Sequence, residues 1–433
     1  MGTSLSKDVS PSRQQAVWRA VIAGSIGNVM EWYDFAVYAY LAVILGRHFF
    51  PTQDETIRLL STFAVFGVGF VARPIGGFLI GLYGDKHGRK PALLLTIMMM
   101  AVGTALIGVL PTYATIGMAA PVLLVLARLM QGFSAGGEWG GAASFIVEWA
   151  PAGRRGFFGG FQTSSILFGS VVGSCVTALL STVLGPAGMN SWGWRVPFLL
   201  GSLIGPLGVY ARRKIDETPV FEEVVVQHKE IDVPKITTPL GLIMLHIFFF
   251  AGMQSIATYL FASYFPTYSQ KFIGLSPSQA LWSTTIAVLG FSMMCLVSGW
   301  LSDIFGRKKV MLTSCAGFLF LTYPLLSAAL HARSFGVVLL VQTTLCVFIG
   351  VFNGTMPATL VEAFPTGRRY MGLSTAYNVS SMVFGGFGPF IATWLIARTG
   401  APISLAFLMI AVAAITTPAV ALLRETAFDK RLR

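Results

Sequence analysis

"GLYGDKHGRK", residues 81–90, comes back as "GWLSDIFGRK", residues 299–308. Gly81, Asp85, Gly88, Arg89 and Lys90 of the first copy stand against Gly299, Asp303, Gly306, Arg307 and Lys308 of the second. A second pair runs in step with it: "VEWAPAGRR" at 147–155 and "VEAFPTGRR" at 361–369. Two charged signatures recurring at nearly one offset mark an internal repeat, and so a chain of two like halves. What lies between the signatures decides the solvent of those halves. Apolar runs near 17–46, 57–84, 91–111, 117–149, 157–184 and 193–211 precede the longest polar break, "RRKIDETPVFEEVVVQHKEIDVPK" at 212–235. Runs near 239–272, 278–302, 309–331, 334–362, 370–398 and 403–423 follow it. Each is long enough to cross a bilayer as helix, for which roughly 20 residues suffice.

Composition agrees. Of 433 residues, 55% are hydrophobic and 11% charged, with a mean hydropathy of +0.72, whereas soluble domains carry roughly 25% charged residues. A membrane barrel would alternate apolar and polar residues instead of running continuously apolar. The expected fold is an all-α membrane protein of twelve transmembrane helices in two six-helix bundles. Residues 1–211 form the first bundle, 212–236 a cytoplasmic linker, and 237–433 the second bundle. The net charge of +12 is a matter of topology. Arg47, Arg58, Arg195, Lys271, Arg333 and Arg398 fall on one side, Arg73 and Arg128 within the membrane, and all other Lys and Arg on the opposite side. The positive-inside rule then places both termini in the cytoplasm and removes the case for nucleic acid as a partner. The first apolar run is too long and too acidic for a cleaved signal peptide and is expected to remain as the first helix. Cys175, Cys295, Cys315 and Cys346 stand singly in apolar runs, without a metal-ligand or disulfide pattern.

Ionisable residues inside a membrane are functional candidates by default. Five stand out: Glu31, Asp34, Arg73, Arg128 and Glu138, all in the first half and none repeated in the second. Glu31 and Asp34 are three apart and share a helix face. Burial disfavours a charged carboxylate and a nearby guanidinium favours it, so one of these two acids is expected to carry a proton. Arg73 and Arg128 present planar forks suited to a carboxylate. Polar groups at similar depth that would complete a binding site are Tyr33, Tyr38, Gln131 and Gln162 in the first half. In the second half they are Gln254, Tyr259, Asn353, Tyr377 and Asn378. Each alone is more often an interhelical hydrogen bond than a ligand.

The repeated loops suggest a gate. Asp85 and Asp303 offer carboxylates to Arg89 and Arg307 or to a helix N-terminus, and Glu148 with Arg155, and Glu362 with Arg369, add ion pairs on the same face. Pairs that form in one state and break in another make a latch. No phosphate-binding loop, HExxH or GxSxG is present, so an enzyme, a cofactor or a metal site is not expected.

The loop "GxxxDxxGRK" resembles the signature of the major facilitator superfamily. "GNVMEWYDF" at 27–35, "FVARPIGG" at 70–77, "RLMQGFSAGGEWG" at 128–140, "RRGFFGGFQ" at 154–162 and "WGWRVPF" at 192–198 narrow the likeness to the bacterial metabolite:proton symporters. That group carries citrate, 2-oxoglutarate, shikimate, proline and glycine betaine. The resemblance implies a symporter with Asp34 and Arg128 as the proton-coupled pair; Glu31 is the alternative, and Glu138 a relay or a structural partner. An inner-membrane location and a monomer are expected. Protonating an acid beside two arginines exposes positive charge, which favours an organic anion, a di- or tricarboxylate such as citrate or 2-oxoglutarate, entering with H⁺. The alternative is a zwitterion such as proline or glycine betaine, whose cationic end would need a remaining carboxylate or an aromatic face such as Trp32, Tyr33 or Tyr38. The proline/betaine carriers that add a long C-terminal coiled coil are expected to be the more distant branch, since the chain ends at Arg433. A sensor on the same fold would add a signalling domain, and a channel would need no buried acid–base pair.

Overall fold

The structure, a computed structural model, describes residues 11–87, 89–151, 153–213, 240–363 and 377–428. Every regular element among them is helical, and helix covers the described part of each of the twelve apolar runs. The helices are labelled α1 to α12 in that order. α1 is Pro11–Tyr40, turning by 66° at Leu41 into Ala42–Phe49. α2 is Glu55–His87 and α3 is Arg89–Val109. α4 is Ala119–Ala135, continued beyond Gly136 and Gly137 as Glu138–Trp149. α5 is Arg155–Gly188 and α6 is Arg195–Arg213. α7 starts as Leu240–Thr258 and widens into a π-turn at Tyr259–Tyr264. α8 is Pro277–Phe305, α9 Arg307–Ala332 and α10 Phe335–Ala363. α11 runs over Tyr377–Thr399 and contains a π-turn at Ser381–Gly386. α12 is Ser404–Ala421.

Among the described residues, eight helices are long and apolar enough to cross a membrane, nine if bent α1 is one span, with shorter apolar helices in α3 and α4. Large apolar side chains such as Phe78, Met98, Leu126, Phe320, Leu340 and Phe407 stand exposed around the outside. A patch of that extent fits lipid better than water.

Local chemistry sets the helix ends. Asp54 Oδ1 accepts from the N–H groups of Thr56 and Ile57 at 2.7 and 3.1 Å, capping α2. Ser276 and Gln279 form a reciprocal capping box ahead of α8. Between α8 and α9, Gly306 has φ +97, a conformation that disfavours any residue with a Cβ. This accounts for the glycine in the second copy of the loop.

Packing is close where it positions charge. A Cβ placed on Gly132 of α4 would lie 1.5 Å from the carbonyl oxygen of Gly69 on α2, and one on Gly136 would lie 2.0 Å from that of Arg73. Backbone thus rests on backbone, as small residues allow between membrane helices, and Arg73 and Arg128 are brought into one layer. Between the halves, α5 lies along α8. Gly156 and Gly299 meet there, and three hydroxyl pairs cross the seam: Ser164 with Ser292 at 2.8 Å, Ser174 with Thr285 at 2.9 Å, and Thr182 with Ser278 at 2.7 Å. α2 reaches α11 through Gly67, Phe70, Gly386 and Phe387. The repeat relates α2 to α8 and α5 to α11, so these two seams are images of each other.

Candidate functional site

Two charge networks sit on α1, one helical turn apart. Glu31 pairs directly with Arg73 of α2, and both are buried. Asp34 is 3% exposed and has no direct arginine partner: Oδ2 accepts from the Thr104 hydroxyl of α3, and Oδ1 has no hydrogen-bond partner. Thr104 Oγ1 in turn accepts from Gln131 Nε2 at 2.8 Å, and Gln131 Oε1 accepts from Arg128 Nη1 at 2.9 Å. Asp34 and Arg128 are therefore linked, as a pair the resemblance implies, through Thr104 and Gln131.

Arg128 is held by aromatic faces. Its guanidinium carbon lies 4.5 Å from the Phe35 ring centre and 4.4 Å from that of Tyr38. Nε and Nη2 have no hydrogen-bond partner. Arg73 sits 5.0 Å from the same Phe35 ring and 4.7 Å from Phe70, so Phe35 touches both guanidinium groups. Stacking of this kind holds an arginine in place while leaving its N–H groups available.

Between the halves lies a small cavity with room for about one water. Its lining comes from Trp32 on α1, Trp139 on α4, Thr163, Ile166 and Leu167 on α5, Gln254 and Thr258 on α7, Asn353 and Met356 on α10, and Tyr377 on α11. Trp139 stacks on Tyr377 at 3.7 Å, and Trp32 on Tyr259 at 5.3 Å. Each stack joins one half to the other. Of the residues proposed from sequence, the structure brings Gln254, Asn353 and Tyr377 to this cavity, with Tyr259 stacked on its wall. Gln162 is buried beside Thr163 with Nε2 unpartnered. The Tyr33 and Tyr38 hydroxyls donate to the carbonyls of Pro197 and Thr62 at 2.7 and 3.1 Å, and Asn378 donates to Gly136 O at 3.1 Å. Glu138 is buried one position before Trp139. Sequence reasoning missed Trp139, Thr163, Thr258 and Thr104. Trp139 stands next to an intramembrane acid, which was a usable signal; an isolated threonine in an apolar helix gives none.

At one end of the molecule the halves are fastened. Asp303, at the end of α8, accepts from the N–H groups of Gly156 and Phe157 at the start of α5, at 2.8 and 3.0 Å. Arg307 donates to Asp303 at 2.7 Å and forks onto Glu362 at 3.1 and 3.3 Å. Arg155 is buried beside this cluster. Thr426 donates to Glu362 at 2.7 Å, and Glu425 accepts from the N–H groups of Arg307 and Lys308 at 2.9 and 3.2 Å; sequence reasoning named neither. The side chains of Asp85, Arg89, Glu148 and Arg369 lie outside the described residues. At the opposite helix ends, Arg47, Glu55, Arg58, Gln270 and Lys271 line a depression of about 380 Å³. There Lys271 meets Glu55 across the halves at 3.6 Å.

Comparison with known proteins places this architecture. Residues 20–232 match the family model for sugar (and other) transporters, and residues 247–432 match the model for the major facilitator superfamily. A Staphylococcus aureus (strain MSSA476) protein provisionally named a proline/betaine transporter is 38% identical over 419 residues, covering 96% of this chain and 90% of that one. The proline/betaine transporter of Escherichia coli (strain K12) is 33% identical over 440 residues, covering 97% and 86%. The proton:xylose symporter XylE bound to 6-bromo-6-deoxy-D-glucose superposes with a TM-score of 0.79 at 18% identity, over 96% of this chain and 97% of that one. The partially occluded inward-open form of that transporter gives 0.75, over 95% and 99%. The chain belongs to the major facilitator superfamily of membrane transporters. The two-bundle helical fold and the family expected from the repeated loops are both borne out.

Proposed function

We propose that this protein is a proton-coupled symporter that imports a small zwitterion bearing one carboxylate, of the class of proline and glycine betaine, by alternating access. The observation that carries it is the buried Asp34 carboxylate, which lacks a direct counter-ion and is wired to Arg128 through Thr104 and Gln131. A proton on Asp34 removes its hold on that wire, and the open N–H groups of Arg128 then take a substrate carboxylate. Arg73 is already neutralised by Glu31, which leaves one fork for one carboxylate. That count, with the names of the relatives, favours the zwitterion over citrate or 2-oxoglutarate.

With both termini in the cytoplasm, as the Lys and Arg distribution argues, the Asp303 latch closes the cytoplasmic side. The Glu55–Lys271 depression then faces outward. Residues 1–211 and 237–433 rock as two bodies about the α5–α8 and α2–α11 seams, joined by a linker at 212–236, in a bacterial inner membrane. Substrate and proton enter from outside, and breaking the latch lets both leave inside.

Reconstituted vesicles with an imposed inward proton gradient test this reading. The wild type should concentrate a labelled zwitterion at least about tenfold, and Asp34→Asn should abolish that accumulation while retaining downhill exchange. Accumulation by Asp34→Asn would remove Asp34 as the carrier in favour of Glu31. Accumulation by the wild type without a proton gradient would remove proton coupling altogether.

A further inference from the structure

We infer that the depression at the outer mouth, lined by Arg47, Arg58, Gln270 and Lys271, binds a small oxyanion, a phosphate or a carboxylate, whose occupancy holds the two halves closed at that end. This goes beyond the transport reading above and takes from it only which side of the membrane the mouth faces.

The first support is positive charge without acids to match it. Arg47 and Arg58 come from the first half, at the bent end of α1 and the start of α2, and Lys271 from the second, at the far end of α7. Among the described residues lining the depression, Glu55 is the sole acid. It stands 3.6 Å from Lys271, beyond hydrogen-bond range, and its side chain is 61% exposed. The neighbouring Asp54 is engaged in capping α2. Cations from opposite halves thus line one depression, and an anion between them turns their repulsion into attraction.

The second support is an arginine held in place with a donor to spare. The Arg58 stem lies along Gly46 of α1, where a Cβ would come 3.0 Å from its Cγ. Its Nη2 donates to the carbonyl of Thr52, while Nε is buried and has no hydrogen-bond partner. A buried donor left unmet calls for an acceptor, and a guanidinium fixed at its stem offers an oxyanion directed N–H groups that a lysine lacks. Val43, Leu59, Leu275 and Pro277 complete the walls, so an anion there is partly shielded from screening salt. Because the cations come from both halves, the set is complete only while this mouth is shut. An anion that needs both sides therefore favours the shut state.

The melting temperature of the purified protein in detergent tests the site without reference to transport. Sodium phosphate should raise it saturably, by about 1–3 °C over sodium chloride at equal pH and ionic strength. Arg58→Gln and Lys271→Gln should each lose that increment, whatever their own baseline, and Arg58→Lys should keep only a part of it. In phosphatidylcholine vesicles, phosphate added outside should slow initial uptake by the wild type and not by Lys271→Gln. If phosphatidylglycerol in the vesicles slows uptake in the same Arg58-dependent way and removes the response to added phosphate, the occupant is a lipid headgroup; if the response persists, it is a free anion. A rise no larger in phosphate than in chloride, or one kept intact by both glutamine variants, overturns the site. A wild type that transports no zwitterion yet keeps the phosphate rise would overturn the symport reading and leave the site standing.

Discussion

The Asp303 carboxylate and the Gly156 main chain belong to different halves, yet one receives the other's N–H at 2.8 Å. The acid sits where a helix N-terminus carries partial positive charge, worth roughly 0.3–2 kcal/mol. Asp303→Asn should weaken the latch and shift the protein towards the state open at that end, with slower turnover. Cysteines placed at the α5–α8 ends should label faster, while substrate affinity in a conformation fixed by crosslinking stays unchanged. A large loss of affinity in the fixed conformation would contradict a purely gating role.

Glu31 and Arg73 form a buried ion pair. Glu31→Gln strands the guanidinium, and breaking a buried pair from one side costs about 3–5 kcal/mol. The double variant Glu31→Gln, Arg73→Gln should recover most thermal stability in detergent without recovering transport. Equal instability of single and double variants would show that the loss does not come from a stranded guanidinium.

Gly132 has no room for a methyl group, with Gly69 O 1.5 Å from its Cβ position. Gly132→Ala should force α2 from α4 and cost about 1–3 kcal/mol or prevent folding. Gly336, around which nothing lies within 4 Å, serves as the control: Gly336→Ala should leave the melting temperature unchanged.

The Tyr33 and Tyr38 hydroxyls serve backbone carbonyls. Tyr33→Phe and Tyr38→Phe should each lower stability by about 1 kcal/mol and leave substrate affinity within about twofold. A tenfold loss of affinity in either would return it to the binding site.

Much of this was legible in the chain because it depends on short-range pattern. The loop pair at 81–90 and 299–308 announces two halves, and the isolation of Glu31, Asp34, Arg73 and Arg128 in apolar runs announces the charged layer. What stayed hidden depends on contacts across sequence. Asp303 bonds to main-chain groups of Gly156 and Phe157, which have no side-chain signature. Thr104 and Gln131 stand between Asp34 and Arg128 because of how α3 and α4 lie against α1, and spacing along the chain does not encode that. Trp139 meets Tyr377 only when the halves are assembled.

The hydroxyl pairs along α5 and α8 differ in kind from the latch. In each, either side chain is a serine or threonine able both to give and to accept, so a pair broken by a small slide finds another hydroxyl, a carbonyl or a water without stranding a charge. The molecule thus carries a bolt and a bearing. The bolt, built from Asp303 and Arg307, registers position, because its partners are few and ionic. The bearing, Ser164 to Ser292 and on to Thr182 and Ser278, would let the halves of the proposed symporter slide without stranding a charge, so that a long stroke is compatible with a sharp resting point.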